Sequence, residues 1–113
     1  MDNEAALFKA LSDPTRLRLG ALLAVPGEIC VCTLAAALHE PGFKVSRHLR
    51  VLRSAGVVDA RRDGTWMHYR LPEPRTRLEK CLQDCFRDCL NDHETVVADA
   101  ERLRQASCRE VVE

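Results

Sequence analysis

Apolar positions recur at helical spacing along most of this chain and switch to strict alternation once. Residues 3 to 11 (NEAALFKAL) form a short helical pattern. Asp13 then precedes Pro14, an N-cap followed by proline at the first helical position. That second helix runs to about Ala24, offers Leu17, Leu19, Leu22 and Leu23 to a core, and is stopped by Pro26 and Gly27. Glu28 to His39 is a third, short helix whose start is open: either Thr33 caps it and Glu28 to Cys32 is extended, or the helix starts earlier and includes both cysteines. A turn, Glu40-Pro41-Gly42-Phe43, leads to a fourth helix from Lys44 to Ala55, with Val45, Leu49 and Leu52 at core spacing and Gly56 at its end.

The alternation comes next. Val58 and Ala60 on one strand, and Met67, Tyr69 and Leu71 on the other, flank the Asp63-Gly64 turn signal, so Val57 to Leu71 reads as a β-hairpin. Pro72 and Pro74 mark a break. From about Arg75 to Gln105, Leu78, Leu82, Phe86, Leu90, Val97 and Leu103 make an apolar stripe of roughly 30 residues, about 45 Å of helix. A helix of that length exceeds what so small a domain can cover, which predicts a second subunit packed on it, with the first helix joining that interface.

The fold class expected is therefore mainly α with a small β-hairpin: one domain over residues 1–113, with a helix-turn-helix at about 33–55, a wing at about 57–71 and a dimerisation helix at about 75–105. Composition supports this. The chain has 113 residues, 46% of them apolar and only 4% aromatic, which suits a Leu/Val/Ala helical core. Met1 is followed by polar Asp2, Asn3 and Glu4, and no apolar run approaches the roughly 18 residues of a membrane span. A cytoplasmic protein without a membrane partner is expected.

Charge and cysteine content add the chemistry. Net charge is zero, yet Lys44, Arg47, Arg50, Arg53, Arg61 and Arg62 face only Asp59 and Asp63 across the fourth helix and hairpin. Such a local basic patch attracts phosphate. On the fourth helix, Lys44, Ser46, Arg47, His48 and Arg50 are the base- and phosphate-contact candidates, with His48 equally suited to packing beneath the helix. Arg61 and Arg62, at the hairpin tip, are phosphate candidates. Six cysteines in a chain without a secretory signal point to ligation or redox chemistry rather than a disulfide framework. Cys30 and Cys32 stand directly before the basic helix. Two residues apart, they diverge by about 200° on a regular helix but share a side on an extended segment, so gripping one ion requires an extended or distorted start to the third helix. Cys81, Cys85 and Cys89, at i, i+4 and i+8, fit either a packed seam or a second thiol site. His39 reads as a helix-end residue, Trp66 and His68 as structural packing on the hairpin, and His93-Glu94 as no acid/base pair.

Four segments, LSDPTRLRL (Leu11 to Leu19), EICVCTL (Glu28 to Leu34), KVSRHLRVLRSAGVV (Lys44 to Val58) and DGTWMHYRL (Asp63 to Leu71), taken in order, resemble the ArsR/SmtB family of metal-responsive winged-helix repressors. The resemblance spans residues 5 to about 100. It implies a homodimer, through the terminal helices, that binds double-stranded operator DNA when metal-free and releases it when an inducer binds; it does not imply an enzyme. The C-x-C of EICVCTL is similar to the inducer box of the arsenite- and cadmium/lead-responsive branches. Enteric arsenite repressors carry a third cysteine where this chain has Ala35, cadmium-type members add cysteines in a region that here (residues 1–29) has none, and the zinc-type ligand spacing is absent around Asp92-His93-Glu94. The resemblance thus implies As(III) as inducer, with Sb(III) following it, bound by Cys30 and Cys32. Cys81, Cys85, Cys89 and Cys108 are the candidates for a third ligand. The alternatives within the same fold are Cd, Pb or Zn as inducer, or thiol oxidation or persulfide formation.

Overall fold

The computed structural model describes the backbone of residues 1–112 and the side chains of residues 1–106. Six helices surround a small sheet: α1 (Asp2–Leu11), α2 (Pro14–Leu22), β1 (Ile29–Cys30), α3 (Val31–Leu38), α4 (Gly42–Ser54), β2 (Asp59–Asp63), β3 (Trp66–Arg70), α5 (Arg77–Asp88) and α6 (Glu94–Val112). The α2 start follows the expectation: the Asp13 carboxylate accepts the Arg16 N–H at 3.1 Å, and Pro14 occupies the first turn. Leu19, Leu23, Leu34, Val45, Leu49, Leu52 and Val58 are fully buried, so α2, α3, α4 and the segment leading into β2 share one core. Leu17 is not part of it; it is 37% exposed. On the far side, Phe86 of α5 lies over Gly20 of α2, where a Cβ would stand 3.0 Å from its ring, and this close approach is what glycine permits.

The expected hairpin is present and gains a strand, and two other expectations are corrected. The hairpin is part of a three-stranded antiparallel sheet, ordered β1-β3-β2, because Ile29 and Cys30 pair with Tyr69 and His68. The turn residues are Gly64-Thr65 rather than Asp63-Gly64: Asp63 pairs with Trp66, and Gly64 takes the positive φ. Finally, the helix expected over residues 75–105 is two helices. α5 closes with the Cys89 N–H on the Cys85 carbonyl at 2.8 Å. After Leu90-Asn91-Asp92, His93 starts α6 anew: its carbonyl accepts the Val97 N–H at 2.9 Å and its ring Nδ1 accepts the Thr95 N–H at 3.1 Å. The chain turns there because Asn, Asp and His side chains offer the backbone bonds that compete with helix continuation.

α6 runs back along α3. Its first turn stands near Pro14 and Leu17 at the head of α2. Further along, Asp99 and Arg102 meet the C-terminal end of α3. The two-helix arrangement thus returns the last helix to the one that carries the thiols.

Candidate metal and nucleic-acid site

The thiol pair sits at a junction. Cys30 is the last residue of β1 and the N-cap of α3, with extended φ −69° and ψ 145°. Cys32 lies in the first helical turn. The two candidate starts of this helix therefore combine: extended through Cys30, helical from Val31, and Thr33 is buried inside the helix rather than capping it. The change of conformation between the two cysteines brings their sulfurs to 3.1 Å. That separation is well beyond the roughly 2.05 Å of a disulfide, so the residues are two neighbouring thiols. Cys30 is 2% exposed and Cys32 is open to solvent. A buried, positioned sulfur beside an accessible one fits a soft, thiophilic ion.

Of the other candidates, Cys81 on α5 and Cys89 at its C-cap are exposed, and Cys85 on α5 is half-buried. Among the described residues, no cluster of three His, Cys, Asp or Glu side chains forms, so none of these completes the pair within one chain. The Cys108 side chain lies outside the described residues.

α4 presents Lys44, Arg47 and Arg50 to solvent and Ser46 at half exposure. Its apolar face is closed by Val45, Leu49 and Leu52, so the outward stripe is fixed by packing. His48 turns the other way. Its Nδ1 accepts from the Arg16 guanidinium at 3.2 Å and stands 3.9 Å from the Asp13 carboxylate. The arrangement pins α4 against the head of α2. Arg62 is exposed at the wing, but Arg61 is engaged: its guanidinium donates to both oxygens of Glu28, at 2.8 to 3.0 Å. That bond holds the Glu28 carboxyl below the usual carboxylate range. Trp66, expected to pack, is 51% exposed, while His68 is half-buried next to Cys30 in the sheet register.

One cluster was missed in the sequence. Asp99 of α6 is fully buried. Arg18 grips it through two bonds of 2.8 Å, and Arg102 donates to it at 2.7 Å. Both arginines also cap α3: Arg102 reaches the Ala37 carbonyl at 2.6 Å and Arg18 the Leu38 carbonyl at 3.2 Å. Cations at a helix C-terminus offset its negative end. The only hint was an acidic residue inside the apolar face of VVADA (residues 96–100).

Comparison with known proteins gives the lineage. Residues 13–60 match the family described as bacterial regulatory protein, arsR family. The chain is 41% identical over 103 residues to an arsenical resistance operon repressor of Escherichia coli, covering 90% of this chain and 86% of the relative. It is 49% identical to an arsenic resistance transcriptional regulator of Pseudomonas putida over 68% of each. A solved structure of a possible transcriptional regulatory protein from Mycobacterium bovis, 34% identical, superposes with a TM-score of 0.64 over 75% of this chain and 84% of that one. With a three-stranded wing sheet behind α3 and α4, a thiol pair at the head of α3 and these relatives, the chain belongs to the arsR family of winged helix-turn-helix transcriptional regulators and is not an enzyme.

Proposed function

We propose that this protein is a cytoplasmic repressor that binds operator DNA as a metal-free homodimer and leaves it when As(III), or its heavier congener Sb(III), binds Cys30 and Cys32. The observation that carries the reading is the 3.1 Å approach of the two sulfurs at the strand-to-helix junction immediately before the reader pair. The relative named for the arsenical resistance operon supports the choice of inducer.

The chemistry needs no redox partner. Each thiol gives its proton to a hydroxyl of arsenous acid, an As–S bond replaces an As–O bond, and one water leaves per thiol. Because no third described side chain of the same chain joins the pair, the remaining position falls to a retained hydroxide, a small thiol, Cys108, or one of Cys81, Cys85 and Cys89 lent across the dimer. Bridging Cys30 and Cys32 fixes the junction in a shape set by the ion rather than by the β1–β3 pairing and the first turn of α3. α3 supports α4, and the two α4 helices of the dimer must sit about 34–36 Å apart to enter successive major grooves. A shift of α3 therefore degrades that spacing, and a coupling of about 1–3 kcal/mol suffices for a regulatory switch. On the DNA side, Arg47 and Arg50, exposed on α4, would read guanine edges or phosphates, with Ser46 and Lys44 beside them and Arg62 on the flanking backbone.

The test is fluorescence anisotropy of a labelled duplex from the protein's own promoter, titrated with arsenite at fixed salt. Wild type is expected to release, and Cys30→Ser/Cys32→Ser to stay bound. Release that is equal in both proteins would place sensing elsewhere; release by peroxide but not by arsenite would make the switch an oxidative one.

A further inference from the structure

We propose that the cleft between α1 and α4 seats one strand of the DNA backbone, with Lys9 of α1 as its phosphate contact. The proposal rests on the reading of this protein as an operator-binding repressor, and it adds a helix outside the helix-turn-helix to the DNA surface. The cleft measures about 520 Å³. It is lined by small apolar side chains and by four cations, Lys9, Arg16, Arg47 and Arg50, and among the described residues no carboxylate lines it. Arg16 is a fixed charge in the wall: its Nε donates to the Ala10 carbonyl at 2.5 Å and its guanidinium reaches His48 at 3.2 Å. Lys9, Arg47 and Arg50 are exposed, and among the described residues none of the three forms an ion pair. Elsewhere the exposed bases are neutralised locally, since Lys80 and Arg87 on α5 and Arg104 on α6 each pair with a nearby acid. The uncompensated charge therefore gathers at this cleft, and its complement is a polyanion.

The geometry of α4 says which polyanion. At 100° per residue, Val45, Leu49 and Leu52 turn one side of the helix into the core, and Arg47, Arg50 and Ser54 stand opposite. Exposed Val51 lies on the flank that faces α1. Arg47 and Arg50, the base- and phosphate-contact candidates, thus form one wall of the cleft and Lys9 the other. A helix lying in the major groove has a sugar-phosphate strand along each flank. On the α1 flank that strand meets Lys9. Phosphate contacts fix register and orientation but carry no sequence information, so Lys9 is a positioning contact and not a base reader.

The probe is a labelled duplex from the protein's own promoter, bound by the full-length protein and followed by anisotropy over a range of salt. Lys9→Gln removes one exposed charge; circular dichroism and sedimentation check its helices and assembly. The slope of log Kobs against log salt is expected to become shallower by about 0.9 per Lys9 contact, or about 1.8 for a dimer on two half-sites. Lys9→Arg should keep the wild-type slope, and Lys9→Gln should weaken operator and scrambled duplex by the same factor. Lys80→Gln, which removes a charge on α5, should leave the slope unchanged; an equal loss there would make the effect one of net charge and overturn the assignment. A methylphosphonate scan of the duplex locates the contact: one neutralised phosphate flanking each half-site should weaken wild type and leave Lys9→Gln unaffected. An unchanged slope, or no phosphate whose effect depends on Lys9, would also overturn it. Arsenite is expected to release Lys9→Gln as it does wild type. Wild type that binds the duplex but ignores arsenite would sink the thiol switch alone, whereas wild type that binds no duplex would sink both.

Discussion

His39 sits at the end of α3 in the left-handed region, φ 54° and ψ 43°, the one non-glycine residue with positive φ among the described residues. Its N–H and that of Glu40 turn back to the Ala36 and Ala35 carbonyls, so the conformation closes the helix. An L side chain there costs about 1 kcal/mol, partly offset in a glycine variant by the extra freedom of the unfolded chain. His39→Gly is therefore expected to raise stability by about 0.5 kcal/mol and Tm by about 2 °C, measured by differential scanning calorimetry; a lower Tm would mean that the imidazole itself contributes. The solvated helix-end role was readable from His39-Glu40-Pro41, a histidine before a turn, whereas its dihedral angles were not, since a glycine is the usual signal. The same contrast holds for Cys30 and Cys32. Their proximity in sequence marked them as ligands, but that one is buried and the other exposed follows from a two-residue strand too short to leave a pattern.

At the scale of elements, the clasp between Glu28 and Arg61 ties the segment entering the thiol pair to the outer strand of the wing, across β3. In the proposed DNA complex, Glu28 would compete with phosphate for the Arg61 guanidinium. Glu28→Gln is expected to tighten duplex binding and to steepen its dependence on salt by about one counterion, read from anisotropy at several salt concentrations; an unchanged slope would mean Arg61 never reaches the backbone. The pH behaviour has a definite sign. Arg61 depresses the Glu28 carboxyl, so the clasp is formed above the ordinary carboxylate range and is lost as pH falls through the depressed value. Release of the clasp belongs to acid pH, and duplex binding near neutrality should not vary on its account. Sequence reading reached the helix-turn-helix and the hairpin because Asp13-Pro14, the Val45/Leu49/Leu52 spacing and Gly64 are local signals. It missed the break before α6 because Leu90 and Val97 keep the apolar period across it. It missed the Arg18–Asp99–Arg102 cluster because the Arg18–Asp99 pair, which buries the acid, joins residues far apart in the chain.

For the whole molecule, the terminal helices carry large apolar side chains facing outward: Phe8 is 55% exposed on α1 and Val97 51% on α6, with Leu17 and Val96 along a shallow apolar cleft at the head of α2. These are the surfaces expected to meet in the homodimer. Phe8→Glu/Val97→Glu is predicted to sediment as a monomer at concentrations where wild type is a dimer, and to lose at least tenfold in affinity for a two-half-site duplex, since each half would then bind without the other's effective concentration. Dimeric sedimentation of the variant would move the interface elsewhere. Through Arg18 and Arg102, the buried Asp99 fastens the carboxyl end of α3 to α6, the helix expected to join the subunits, so a strain introduced at the amino end of α3 would reach the joint between protomers as well as α4. By that route the arsenical signal would act on avidity: each protomer would keep its grip on a single half-site, and only the palindrome, bridged by both at once, would be let go.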